Sequence, residues 1–147
     1  MAIADLKNVL KIFGGSDIDS SARDDLYKEV LLMTLARATD ADINIQHVEV
    51  EHIRRVLQEK TGENFSAADI RVAARAELYA EANLRKYLSK VKKQLTARQR
   101  GDVIRALADV MRSDQQVSAL EVDFFNGVAE ALGVTYAQVA GLRTGAV

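Results

Sequence analysis

The chain of 147 residues contains no cysteine, no proline and no tryptophan. Without cysteine it can form no disulfide, thiolate zinc site, iron–sulfur cluster or thiol nucleophile. The absence of proline suits helices and argues against a turn-rich all-β fold. Aromatic residues make up only 5% of the chain, so the core must consist of Leu, Val, Ile and Ala. We therefore predict an all-α protein.

The sequence also lacks long hydrophobic runs, a signal peptide and a strong net charge. The run at residues 30–33 is far too short to span a bilayer. An acid, Asp5, stands where a signal peptide would carry its apolar segment. The formal net charge of −1 predicts neither nucleic-acid nor membrane binding. We predict a soluble, cytoplasmic protein that forms a single domain over residues 1–147.

Charge is nevertheless distributed unevenly along the chain. Acids cluster between Asp17 and Glu29, and a basic stretch follows in the middle of the sequence, with Asp102 as the only acid inside it. Such a stretch could meet an acidic partner or nucleic acid, but it is more often a solvated face. Its basic residues are Arg85, Lys86, Lys90, Lys92, Lys93, Arg98, Arg100 and Arg105.

Apolar spacing and helix-end signals predict seven or eight helices. Capping signals are Ser21 with Asp24, Ser66 with Asp69, and Thr96 with Gln99, whereas glycines end several helices. Residues 67–94 form either one long helix or two with a break near residues 77–80, and the tail at 143–147 is frayed. The other predicted helices span residues 2–13, 22–39, 46–60, 96–112, 118–133 and 134–142.

One acidic motif, Asp-x-x-Ile/Val-x-x-x-Glu, occurs twice between helices. The first copy runs from Asp42 to Glu49 and the second from Asp114 to Glu121, an offset of 72 residues. The flanking helices match as well, which defines two helix–loop–helix units at about 22–62 and 96–133. The offset is too long for a solenoid. We predict that the two units pack in one bundle about a pseudo-two-fold axis.

The motif acids suggest a site for a divalent cation. If the two units face each other, Asp42, Glu49, Asp114 and Glu121 supply four carboxylates, the ligands that Ca²⁺ and Mg²⁺ prefer, with Mn²⁺ less favoured. Further oxygen ligands stand nearby at Asp40, Asn44, Glu51 and Asp123.

Helix capping is the competing interpretation of the same acids. Glu49 and Glu121 occupy the third position of their helices, where a carboxylate binds exposed N–H groups and meets the positive helix end. A true EF-hand is excluded because Ile45 stands where that loop needs glycine. The histidines, His47 and His52, share no helix face and have no acid partner along the sequence, so we predict a surface role for both.

The duplicated motif resembles that of the tellurite-resistance TerB family and its TerB-like relatives, which include the N-terminal region of a membrane-anchored J-domain co-chaperone. The family motif is usually Ala-x-Ala-Asp-Gly-x-Ile-x-x-x-Glu, and Ile43 and Gln115 replace its glycine here. The resemblance covers roughly residues 26–142. It implies a seven- or eight-helix domain with internal pseudo-symmetry, a divalent-cation site at the four motif acids, and a role in stress response through protein partners, some of them membrane-associated.

Three functional hypotheses follow. The first is a non-enzymatic TerB-like module that binds a divalent cation and engages partner proteins. The second is a structural interaction domain whose acids only cap helices. The third is a metal-dependent hydrolase, for which no general base stands out in the sequence. No nucleic-acid partner is expected.

Overall fold

The part of the chain that the structure describes folds into α-helices. The computed structural model describes residues 6–15, 18–39, 50–75, 83–111 and 119–135, with the backbone alone for residues 20 and 119–121. This part of the chain contains no strand, so the all-α prediction is confirmed. Its seven α-helices are α1 (Lys7–Phe13), α2 (Arg23–Arg37), α3 (Val50–Thr61), α4 (Ala67–Ala74), α5 (Leu84–Val91), α6 (Ala97–Met111) and α7 (Ala119–Leu132), with short 3-10 helices at Ser20–Ala22 and Lys92–Gln94.

Helix α2 is the centre of the bundle. Every residue from Glu29 to Ala36 is buried, so the helix has no solvent face over two turns. A helix that is apolar all round needs neighbours on every side. Helices α1, α3, α4, α5 and α6 all pack against α2, while α7 packs on α5 and α6. Apolar residues of this helix, which include Leu26, Val30, Met33 and Leu35, are therefore buried against helices on several sides.

Two predicted capping boxes form as expected. The Asp69 backbone N–H donates to Ser66 Oγ (3.0 Å), and the Ser66 N–H donates back to Asp69 Oδ2 (3.0 Å). The same reciprocal pair joins Thr96 and Gln99 at the start of α6. Each box satisfies two backbone donors that the first helical turn would leave without partners.

Glycine ends α3 and α7, as predicted. Gly62 and Gly133 adopt left-handed conformations, with φ of 74° and 69°. The Val134 N–H then donates to the Ala129 carbonyl (2.9 Å), which closes α7 in a Schellman motif.

Other local predictions were wrong. Ser21 makes no cap for α2; a 3-10 turn leads into the helix, and its N-cap is Ala22, without a side-chain bond. Helix α1 begins at Lys7 rather than Ala2, because Leu6 takes a left-handed conformation with φ of 54°. By contrast, the described residues of the span 67–94 form two helices, α4 and α5, which agrees with one of the two predicted alternatives. Helix α5 begins at Leu84, and the side chain of its N-cap Asn83 accepts the Lys86 N–H (3.0 Å).

Several predicted elements lie outside the described residues. These are the start of the third helix at residues 46–49, the Ser118 cap, the break at residues 77–80, the last helix over residues 134–142 beyond Thr135, and the tail at 143–147.

A buried carboxylate from α2 caps α1. Glu29 Oε1 accepts the backbone N–H groups of Asn8 (2.9 Å) and Val9 (3.1 Å), and Oε2 accepts the Asn8 side-chain amide (2.6 Å). The second and third N–H groups of α1 are thus satisfied from another helix. Burial nevertheless outweighs these bonds and raises the pKa of Glu29 above its usual value.

We expect Glu29→Gln to change how stability depends on pH. Because the folded-state pKa lies above that of the unfolded chain, the folded protein binds more protons between the two values, and stability falls as pH rises through that window. The amide variant lacks this titration, so its stability relative to the parent should improve from about pH 4 to about pH 7. Urea denaturation of the variant and the parent at both pH values measures the difference in their free energies of unfolding. A difference that stays constant would contradict the raised pKa.

A second prediction concerns Thr34, which is fully buried in α2. Its hydroxyl has no hydrogen-bond partner among the described residues. A buried hydroxyl without a partner costs about 1–3 kcal/mol. Thr34→Val keeps the volume and removes the hydroxyl, so we expect a gain of about 1 kcal/mol in the free energy of unfolding. Thr34→Ala is the control: it also removes a methyl group and should lose stability through the cavity it leaves.

Candidate functional site

Of the four motif acids, only Glu121 lies within the described residues. Glu121 is the third residue of α7, with only its backbone described. The remaining motif positions lie outside the described residues, so their part in a cation site stays a prediction. They are Asp40, Asp42, Asn44, Glu49 and Asp114.

Two of the further oxygen ligands that the sequence suggests, Glu51 and Asp123, lie within the described residues, and their surroundings differ. Glu51 Oε1 is 2.7 Å from Arg54 Nη1, and its side chain is exposed. That ion pair occupies one carboxylate oxygen on the solvent side of α3. Asp123, at the equivalent position of α7, is also exposed and lines a small cavity beside Arg37. Asp123 is therefore the more available ligand of the two.

The start of α3 lies beside the end of α6. His52, the third residue of α3, has its Nε2 atom 3.7 Å from Asp109 Oδ1 near the end of α6. The His52 side chain is half-buried beside this acid, with 23% of its surface exposed. Sequence reasoning missed the pair because its members are far apart along the chain. We call this contact between α3 and α6 the second corner, because the chain reaches it after a first corner at the end of α2.

Residues of α2 and α7 line one small cavity. Arg37, the last residue of α2, lines a cavity of about 150 Å³ together with Asp123 and Phe124 of α7. The wall opposite includes Asn83 and Arg85 at the start of α5. We call this group the first corner. The repeat offset relates it to the second corner, since position 37 corresponds to Asp109 and position 52 to Phe124.

These contacts constrain the two motif segments. The first segment leaves α2 at the first corner and enters α3 at the second. The second segment leaves α6 at the second corner and enters α7 at the first. The helix ends that flank the two segments therefore lie at the same two corners.

Two residues of α2, Arg37 at the first corner and Tyr27 near the other end of the helix, have polar or charged neighbours on other helices. Arg37 Nη1 donates to the Ala74 carbonyl at the end of α4 (2.8 Å), a favourable place for a cation because carbonyl oxygens are exposed there. On the α2–α6 interface, burial and then the charge of Asp102 raise the pKa of Tyr27 to about 12, although Arg105 acts in the opposite sense. Tyr27 is therefore a neutral hydroxyl at physiological pH.

The repeat is visible in one further pair of contacts. Lys28 of α2 lies 3.6 Å from Glu63, just past the end of α3. Arg100, 72 residues later, donates to the Leu132 carbonyl at the end of α7 (3.1 Å). Two cations that the repeat offset relates thus contact groups near the ends of α3 and α7. The pseudo-two-fold axis itself stays a prediction.

Comparison with known families decides what kind of domain this is. A family model described as tellurite resistance protein TerB matches residues 28–144, most of the chain. The chain belongs to the TerB family. Comparison with curated proteins and with solved structures finds no match. The TerB match includes both motif segments and both corners, so the duplicated motif is part of the region that defines membership.

Two further findings limit what the described residues can do. None of the helices described has the length and apolar composition needed to cross a membrane. Within the same residues, no three acidic or histidine side chains are placed together to hold a metal ion. A cation site with three such ligands would therefore need at least one side chain from outside the described residues.

The second corner can be tested by cross-linking. Because the chain has no cysteine, His52→Cys combined with Asp109→Cys introduces a unique thiol pair. A short thiol-specific cross-linker should join the two within one molecule, and proteolysis followed by mass spectrometry should identify the linked peptides. His52→Cys with Lys93→Cys is the control, since Lys93 follows α5 whereas α3 packs mainly on α2, α4 and α6. Equal linking of both pairs would contradict the arrangement.

Proposed function

We propose that this TerB domain is a non-enzymatic module that binds a divalent cation and engages partner proteins in a stress response of the tellurite-resistance type. The observation that supports the cation site is that the helix ends flanking the two motif segments lie at the same two corners. Two segments flanked in this way can bring their acids together. Asp42, Glu49, Asp114 and Glu121 would then form one carboxylate cluster.

The charge balance favours a hard cation over an empty cluster. The starts of α3 and α7 carry positive helix-dipole ends, which one carboxylate pair would merely neutralise. Four carboxylates exceed that requirement, and their mutual repulsion falls when a cation binds between them. Ca²⁺ accepts 6–8 oxygen ligands and Mg²⁺ keeps several waters, so Asp123 and water would complete the shell.

Helix capping without a cation is the alternative function of the motif. It is supported by the position of Glu121 as third residue of α7, where a carboxylate binds N–H groups of the first turn. In that case the domain would be a structural interaction module. A metal-dependent hydrolase is the third candidate, and it predicts turnover of phosphoesters with added Mg²⁺ or Mn²⁺.

Thermal melting of the chelator-stripped protein tests the cation site. A cation at a hundredfold excess over its dissociation constant should stabilise the folded state by about 2.7 kcal/mol. We expect a higher melting temperature with Ca²⁺ or Mg²⁺ and a smaller effect with Mn²⁺. Asp42→Ala and Asp114→Ala should each abolish the shift.

Two variants separate the cation from the capping interpretation. Glu49→Gln should weaken the shift if Glu49 is a ligand, but it should be nearly silent if Glu49 only caps, because Gln also serves a capping box. Glu59→Gln is the matched control, since Glu59 is an exposed acid of α3 outside the motif. If none of the three cations raises the melting temperature of the parent protein, the cation proposal is wrong.

A further inference from the structure

Helix α5 concentrates positive charge on one exposed face. Residues 84–94, which form α5 and the 3-10 turn after it, contain five basic residues and no acid. The apolar side of α5 faces the core through Leu84, Tyr87, Leu88 and Val91. Its exposed residues are all polar: Arg85, Lys86, Ser89 and Lys90.

This face borders a shallow, open groove. The end of α1 and the exposed side of α5 line an open groove of about 530 Å³, here called the α5 groove. Phe13 forms its apolar wall, and the Phe13 ring is held in place by Tyr87, with centroids 4.3 Å apart. Its other lining residues supply hydrogen-bonding groups and cations: Asn83, Arg85, Lys86, Ser89 and Lys90.

The cations of the groove differ in whether a described acid forms an ion pair with them. Arg85 Nη2 lies 3.1 Å from Glu130 Oε2, so Arg85 is tied to α7 at the groove edge. Lys86 and Lys90 form no ion pair with any described residue. They stand four residues apart on the helix, where like charges repel each other. A ligand with several negative charges would relieve that repulsion.

We propose that the α5 groove binds an extended acidic segment of a partner protein. Lys86 and Lys90 would pair with carboxylates of that segment, and Phe13 would contact an apolar side chain between them. This inference rests on the partner-binding half of the proposed function and names the surface and the chemistry of the partner. It does not depend on the cation site.

The groove fits a peptide better than other polyanions. Interfacial helices insert exposed apolar side chains into a bilayer, and α5 presents none. Nucleic-acid binding normally combines a broad basic surface with aromatic rings available for stacking. Here the chain carries a net charge of −1, and the Phe13 ring already stacks on Tyr87.

Fluorescence anisotropy provides the test. The probe is a fluorescein-labelled peptide in which pairs of Glu alternate with single Leu or Phe residues. We expect it to bind the parent protein, and more weakly as salt is added. The double change Lys86→Glu and Lys90→Glu should reduce affinity by about tenfold or more, because both ion pairs become repulsive contacts. Arg55→Glu with Lys60→Glu is the control, with the same charge change at exposed positions of α3.

Each outcome decides the proposal. Retention of binding in the Lys86/Lys90 variant, equal loss in the control, or no binding of the peptide would overturn it. Tighter binding of phosphatidylserine vesicles or of a single-stranded oligonucleotide would also overturn it, in favour of those partners. A Gln-for-Glu peptide should not bind, and an Ala-for-Leu/Phe peptide should bind more weakly.

The two proposals fail separately. The cation-dependent melting shift is measured in the same Lys86→Glu/Lys90→Glu variant. An intact shift without peptide binding in the parent protein would reject the α5 groove alone. Peptide binding without any shift would reject the cation site alone.

Discussion

The rest of the structure depends on the burial of α2 on all sides. Its residues from Glu29 to Ala36 leave no face for water, so the free energy of burying them is gained only when other helices surround α2. Five helices do so. This requirement explains how α1, α4 and α5, which are too short to be stable alone, are held as helices by tertiary packing. It even draws a carboxylate, Glu29, into the interior as the cap of α1.

The proposed cation site lies near the end of the same central helix. Arg37 at the end of α2 lines the first corner with residues of α7, and α6, packed alongside, meets the start of α3 at the second. Arg85 lines both the first corner and the α5 groove. Gly127 leaves room for the Arg85 side chain, which reaches Glu130 of α7. A Cβ atom at position 127 would lie 3.2 Å from that side chain. The proposed cation end and the proposed peptide groove are thus neighbours.

Sequence reasoning succeeded where the deciding interactions are local. Ser66 and Thr96 each cap a helix through a residue three positions later in the chain. Gly62 and Gly133 end helices because glycine tolerates positive φ. It failed where a distant residue competes. Ser21 looked like a cap, but the chain enters α2 through a 3-10 turn. Leu6 is held in a left-handed conformation that no local signal predicts, next to N–H groups bound by Glu29.

The amino-acid sequence by itself determined the all-α class, the central helix, most helix ends, the duplicated motif and membership of the TerB family. Each follows from composition, from spacing along a helix or from matching over a long stretch. Only the tertiary structure decided that His52 faces Asp109, and that Arg37 lines one cavity with Asp123 and Phe124 of α7. Those contacts join residues far apart in the chain, and the packing of helices around α2, rather than any local preference, brings them together.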